Sequence, residues 1–401
     1  MNIAFAEALR FIETRCRCTV GETPVALQDA DGRILAADVA APISVPPADN
    51  SAVDGYAFRH ADLERAAFSV VGVAAAGRPF PGAVGEGQAV RILTGGLPPA
   101  GCDAIVMQED VAVAGDRLTI PGAVPLHANI RRAGEDIRAG SVVLAAGRRL
   151  GPSEIGVLAS LGLSTVAVRA PLRVAVFSSG DELVQPGDTL RPGAVFDANR
   201  PMLLSVLTHL GMTVSDRGVL PDGVDAIGAA LAEAARGHDA IVSSAGVSVG
   251  DEDHVRAAVL GLGALDFEGV AIKPGSPMTA GHVAGIPFFG LPGNPVAMMV
   301  TFLMLARPGL LALAGARGEP PQRIPVAAGF SARSRPGRRE YLRAVLRAED
   351  DKLVAVPCSR GGSGVLTSMI ECDGLIELEE AVAEVVEGAP VPFIPLAALG
   401  L

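Results

Sequence analysis

The chain has 401 residues with a formal net charge of −11, a length that predicts two or three domains and a charge that argues against nucleic acid or an anionic membrane as the main partner. Apolar residues make up 49% and aromatics only 4%, with no tryptophan, so the core must be mainly Ala, Val, Leu and Ile. An anionic substrate would need a locally basic site, and the 48 glycines and 30 prolines, which follow no short repeat, predict many turns.

No run reaches the roughly 18 uninterrupted apolar residues of a membrane span. Leu303 to Ala316 comes nearest, broken by Arg307-Pro308-Gly309. The N-terminal stretch carries acids and no basic leader, so no secretory signal is expected. Cys16, Cys18, Cys102, Cys358 and Cys372 are scattered and lack C-x-x-C spacing, which reads as reduced thiols in a cytoplasmic protein.

In chain order, Ile3, Ala6, Leu9 and Ile12 alternate with charged positions and predict an amphipathic helix. The prolines of APISVPPADNSAVDGYAFR forbid a helix, so Ser51 to Phe58 is expected as loop or edge strand. Asp49, Asn50, Ser51 and Asp54 offer more side-chain oxygens than one Asx-turn needs. From Phe68 to Asp136, short Val/Ile/Ala runs divided by Gly/Pro turns predict an antiparallel β domain, with Thr94, Glu135 and Asp136 in its turns. GPSEIGVLASLG reads as a helix without a capping box, capped by Ser153 and ended by Gly162.

Beyond Arg173, strands alternate with helices of about 10–15 residues, the pattern of a doubly wound parallel sheet. Its strand-end loops are SSGDEL, FDANR, LPD, SSAGVSVGDED, IKPGSP and LPGNP. In an open α/β sheet such loops line one edge, where ligands bind. Ile241 to Asp253 alone could be a strand–helix turn capped by Ser248 or Asp251, or a cradle for an oxyanion with a metal beside it. Its neighbours in the predicted cleft favour the cradle. His254 is placed to touch that cleft, while His209 and His238 fall at helix ends. After about Glu319, alternating segments predict a small antiparallel β domain. Most of its arginines (Arg333, Arg335, Arg338, Arg339) are expected on a solvated face, with Arg343 pointing inward. P-loop and dinucleotide motifs are absent, and no Ser-His-Asp set with G-x-S-x-G appears. Carboxylates, hydroxyls and glycines around Lys273 suit a phosphate-bearing ligand handled with Mg²⁺, not covalent catalysis.

DNSAVDGYAFR, RILTGG, GEDI, SSGDEL, DANR, IVSSAGVSVGDED, IKPGSP, LPGNPVA and RGGSG occur in that order. Together they resemble the molybdopterin molybdenumtransferases, the MoeA and gephyrin E-domain family, along nearly the whole chain. The resemblance implies insertion of molybdate into adenylated molybdopterin, with Mg²⁺-dependent hydrolysis and release of AMP. It implies an α/β molybdopterin-binding domain at 169–318, with an N-terminal helix at 1–22 packed on it. A connecting domain at 23–40 plus 138–168, a β-rich domain at 41–137 and a β-barrel-like domain at 319–401 complete the subunit. Asp54, Thr94 and Asp136 would act across the interface of a homodimer. Glu182, Asp222 and Asp253 would line the cleft, with Glu182 and Asp253 holding Mg²⁺. Lys273, Arg343 and Ser363 would bind molybdate. Ser179, Gly180 and Asp181, then Asp197 and Asn199, would contact the molybdopterin substrate. So would Ser243, Ser244, Gly246, Ser248 and Gly250, and Pro292, Gly293 and Asn294. Contacts with a molybdopterin adenylyltransferase and with molybdoenzyme chaperones are further expectations; neither nucleic acid nor membrane is expected.

Two positions depart from the family pattern. Ser276 replaces a lysine common in IKPGKP, which predicts weaker oxyanion affinity. Ala245 replaces a common glycine, at a cost on the order of 1 kcal/mol if that position needs positive φ. The other readings are a molybdopterin adenylyltransferase, which leaves the flanking β domains unexplained, and a non-catalytic dimeric scaffold of the gephyrin E-domain type.

Overall fold

A six-stranded mixed sheet organises the centre of the chain, in the order Thr213–Val219, Arg173–Ser178, Ala240–Ser244, Ile286–Leu291, Thr279–Val283, Gly263–Glu268. The structure is a computed structural model describing residues 2–221, 223–245, 254–318, 320–349, 351–360 and 362–400. The first three pairings are parallel and the last two antiparallel, so Thr279–Val283 alone runs against the other five strands of the expected parallel sheet. Ala284 and Gly285, with φ of 46° and 87°, form the two-residue hairpin that reverses the chain.

Successive residues of the central strands face opposite layers. Val174, Val176 and Val242 pack beneath Phe5–Arg15, Asn199–His209 and the long helix beginning at Pro295. Ala175, Phe177 and Ile241 pack against Val224–Gly237 and His254–Leu262. Because both faces are covered, Ala240–Ser244 is buried throughout, which is why Ala240, Ile241 and Val242 are apolar without alternation.

Arg307-Pro308-Gly309 breaks the apolar run but does not end the closing helix. Pro295–Leu313 is one helix of 19 residues, with a wider π turn over Phe302–Ala306 immediately before Pro308. That turn replaces the regular i to i−4 pattern that proline would break. The helix has the length and apolarity of a membrane span, with a mean hydropathy of 1.9, but 78% of it is buried inside the fold as a core helix.

The N-terminal β sheet corrects two expectations. Gly55–Phe58 is an interior strand, wholly buried between Ala104–Met107 and Gln88–Ile92. The prolines at 42, 46 and 47 all precede it, so none removes a donor from the ladder. A Cβ on Gly55 would lie 1.9 Å from the Val106 carbonyl oxygen, and only glycine fits there. Phe68–Ala74 runs parallel to Gln88–Ile92, so this sheet is also mixed. In the connecting region, Glu22–Ala26 pairs with Thr165–Arg169 over a core that includes Leu35, Leu150 and Leu158. The helix Pro152–Ser160 is entered at Gly151, whose N–H donates to Glu154 at 3.0 Å; Ser153 is not its cap.

The C-terminal strands close into a barrel: Arg339–Glu349, Lys352–Pro357, Ile324–Ala328, Pro390–Pro395 and Gly374–Leu378, which returns to the first. Four of these pairings are antiparallel, as expected, and the one between Ile324–Ala328 and Lys352–Pro357 is parallel. The short strand Ile272–Lys273 pairs with Arg339 and Glu340 and joins the barrel to the α/β unit. Arg338 and Arg339 do not lie on a solvated face. Arg339 stacks 4.7 Å above the Phe5 ring and pairs with Glu377 and Glu380, and Arg338 pairs with Glu340.

Candidate active site

The strand-end loops of the α/β sheet meet the barrel in a cleft of about 1720 Å³. Ser179, Gly180, Asp181 and Glu182 enter it from the end of Arg173–Ser178. Gly180 has φ of 141°, and a Cβ there would fall 2.4 Å from Glu182 Oε2, so the glycine lets this carboxylate fold against its own loop. Asp181 and Glu182 are exposed in the cleft.

Beneath that loop lies Arg200, a residue the sequence reading did not single out although it follows Asp197-Ala198-Asn199 directly. It is 2% exposed, and its Nε donates to Asp197 Oδ2 at 3.0 Å and to Ser178 Oγ at 3.2 Å. Its other nitrogens donate to Asp216 and Gln185. The Asp197 carboxylate, 1% exposed, also accepts from Ser178 Oγ at 2.5 Å and from the Arg200 N–H at 3.1 Å. Asp197 therefore borders the cleft with its carboxylate turned inward; its geometry holds the loop and does not offer the oxygens to a ligand.

Asn199 ties three loops together, its Nδ2 donating to Ser244 Oγ and to the Gly293 carbonyl, both at 2.7 Å. Its Oδ1 is buried without a partner among the described residues. Ser244, Pro292, Gly293 and Asn294 line the cleft, while Ser243 is fully buried in its strand and lies below the surface expected to bind ligand. Ala245 has φ of 67°, so the alanine does stand in the left-handed region. Asp222, Gly246, Ser248, Gly250 and Asp253 lie outside the described residues.

The other end of the cleft is basic. Lys273, Arg338, Arg343 and Ser363 line it. Lys273 Nζ lies 3.1 Å from Glu340 Oε2, and Arg338 approaches Glu340 Oε1 at 2.9 Å. Burial would raise the Glu340 carboxyl, but the hydrogen bonds from Lys273 and Arg338 outweigh it and hold the group below the usual glutamate range. Arg343 donates to Ser368 Oγ at 2.5 Å, and the Val296 N–H donates to the Ser363 carbonyl at 3.1 Å, fixing the barrel loop against the helix at Pro295. Ser276 also lines the cleft, and its hydroxyl accepts from Asn2 at 2.5 Å. His254 lines the cleft as expected, and His238 packs its Nδ1 2.8 Å from the Ala234 carbonyl at a helix end.

Asp54, Thr94 and Asp136 do not line this cleft within the subunit. Asp54 Oδ1 accepts from the Thr94 N–H at 2.7 Å and from Thr94 Oγ1 at 2.9 Å. These bonds, the backbone one foremost, hold the Asp54 carboxyl below its ordinary value. Asp49 accepts from Arg132 and from the Ala133 N–H, while Asp136 is exposed on the following loop. All five cysteines are free thiols.

Three family models match in succession: the MoeA N-terminal region over residues 3–162, a probable molybdopterin binding domain over 175–312, and the MoeA C-terminal region over 325–396. The chain is 37% identical to a molybdopterin molybdenumtransferase of Haemophilus influenzae across 92% of both chains. The chain belongs to the molybdopterin molybdenumtransferase family. A second relative, molybdopterin molybdenumtransferase 2 of Mycobacterium tuberculosis, is 35% identical over 91% of this chain and 92% of its own length. Among solved structures, a molybdopterin biosynthesis MoeA protein of Pyrococcus horikosii superposes with a TM-score of 0.79 at 31% identity, covering 98% of this chain and 99% of that one. Within this family frame, the regularities of sequence that survive as geometry are the small-residue loops at the strand ends. Arg200 and Glu340 escaped notice because Asp216, Gln185 and Lys273 reach them only through the fold, and Arg338, expected on a solvated face, is turned into the cleft.

Proposed function

We propose that this molybdopterin molybdenumtransferase family member inserts molybdate into adenylated molybdopterin and releases AMP, the last step of molybdenum cofactor synthesis. One observation carries the reading: a single cleft has exposed carboxylates at Asp181 and Glu182 and cations at Lys273, Arg338 and Arg343. A tetrahedral oxyanion needs cationic and hydroxyl donors, and Lys273, Arg343 and Ser363 supply them from the barrel side. Asn199, Ser244 and the Gly293 backbone orient the substrate between the two ends.

The donor set at the acidic end is hard oxygen, which suits Mg²⁺. Among the described residues no group of three metal-binding side chains assembles, and Glu182 contributes one carboxylate with Asp253 as its intended partner. Mg²⁺ bound there would neutralise charge on the phosphoanhydride. The placement of Asp54 and Thr94 outside their own subunit's cleft supports a homodimer in which they complete the partner's site. The division into four structural units, a cytoplasmic location, and contacts with the adenylyltransferase and with molybdoenzyme chaperones belong to the same proposal.

The test supplies adenylated molybdopterin and Mg²⁺ with and without molybdate and measures AMP by chromatography. AMP formed only with molybdate is the expected result. Net synthesis of adenylated molybdopterin from ATP without its consumption would identify an adenylyltransferase instead, and no turnover at all would fit a scaffold.

A further inference from the structure

Thirteen phenylalanines are the chain's main aromatic resource, and all are buried or half-buried except Phe196, which is 46% exposed. It lines the cleft beside Val195, itself 53% exposed. Leaving an apolar ring in water is unfavourable, and fixing it there adds the need for a rigid mount. The mount is a two-residue parallel ribbon in which Leu183 and Val184 pair with Val195 and Phe196. The Val195 N–H donates to the Glu182 carbonyl at 2.8 Å, and the Asp197 N–H donates to the Val184 carbonyl at 2.9 Å. Phe196 thus stands between the exposed Glu182 loop and the buried Asp197–Arg200 pair.

Strand order places this ring at one end of the cleft. The ribbon follows Arg173–Ser178, and Leu220 and Pro221 follow the edge strand Thr213–Val219, so the exposed apolar pair Val195 and Phe196 lies at that side of the sheet, whereas Leu342 and Leu366 on the barrel side are half-buried. Lys273 follows the opposite edge strand, Gly263–Glu268, and joins the barrel. The cleft therefore runs from an end with an exposed apolar ring, past carboxylates, to a cationic end.

We infer that Val195–Phe196 is the platform on which the base of the nucleotide stacks. This rests on the reading of the substrate as an adenylated pterin. With the oxyanion at the cationic end and the phosphoanhydride beside Glu182, the base of the leaving nucleotide reaches the apolar end. A flat heteroaromatic face on a fixed phenyl ring is the interaction that such an end can offer.

Calorimetric binding of AMP and of ribose 5-phosphate to the full chain tests this without turnover. Wild type should bind AMP more tightly than ribose 5-phosphate. Phe196→Ala and Phe196→Leu should each weaken AMP binding by at least about five-fold. Phe196→Tyr should retain it, and ribose 5-phosphate binding should stay unchanged in all three. Leucine keeps the apolar volume, so a loss there reports the ring and not the packing, and unaltered melting temperatures exclude misfolding. AMP binding within two-fold of wild type in the leucine variant, or no preference for AMP over ribose 5-phosphate, would overturn the inference. If AMP binds as described but molybdate-dependent AMP release is absent, the platform stands and the proposed reaction fails.

Discussion

Lys273 and Glu340 stand opposite each other in the strand pairing that joins the α/β unit to the barrel, with Nζ 3.1 Å from Oε2. The lysine is half exposed to the cleft and the carboxylate is buried, so one group faces the ligand while the other holds it and Arg338 in place. Because the folded-state pKa of Glu340 lies below the ordinary 4.5, its contribution to stability is present above that value and is lost as pH falls through the folded one. The same sign holds for Glu377, where burial is outweighed by hydrogen bonds from Arg323 and Tyr341. Melting temperature should therefore fall on acidification from about pH 6 to about pH 3. The fall should be shallower in Glu340→Gln and in Glu377→Gln than in wild type. Parallel acid limbs in all three proteins would remove these carboxylates from the account.

Arg200 is expected to be a costly residue to lose. Arg200→Ala would leave the Asp197 carboxylate, 1% exposed, without its cation, at about 3 to 5 kcal/mol. Arg200→Lys keeps the charge but lacks the fork that reaches Asp197, Asp216 and Gln185 together, so it should rescue only in part. Thermal unfolding measures both, and a melting temperature unchanged in Arg200→Ala would contradict the network.

The left-handed conformation at Ala245 predicts a gain from a smaller residue. Ala245→Gly should stabilise by about 0.5 to 1 kcal/mol, the relief of Cβ strain less the added freedom of the unfolded glycine. The reverse change nearby should hurt: a Cβ on Gly293 would lie 3.3 Å from Ala245 Cβ, so Gly293→Ala crowds the same turn. A lower melting temperature in Ala245→Gly would show that the alanine is not strained.

These positions mark how far the sequence could be read. The continuous apolar run before Ser243 and Ser244 made the central strand legible, and the small residues after it made the loop legible. Ala245 could be singled out because positive φ has a known cost for a side chain. The interior place of Gly55–Phe58 was hidden because prolines nearby argued for an edge, whereas all of them precede the strand. Direction was hidden as well: Ala284-Gly285 reverses the sheet with a turn whose first residue is an alanine, outside the usual glycine and asparagine signals. Arg339 looked like a solvated charge because Glu377, Glu380 and Phe5 reach it only through the fold, whereas the partner of Arg338, Glu340, stands two residues away.

A site completed across a dimer predicts complementation. Asp54→Ala and Glu182→Ala should each be inactive alone. After unfolding and refolding together, random pairing makes half of the dimers mixed, each with one intact composite site of two. Activity should then recover to about a quarter of wild type. No recovery from a mixture that sizing places as a dimer would put Asp54 and Glu182 in the same subunit's site or outside it.

The most direct test of the central claim is AMP release from adenylated molybdopterin and Mg²⁺ measured against molybdate concentration, in wild type and in Lys273→Ala. Wild type should show a saturable dependence on molybdate, and the half-saturation point should rise by about ten-fold or more in the variant, the loss of one charge-assisted contact. AMP release that is equally fast without molybdate, or the same half-saturation point in both proteins, would contradict it.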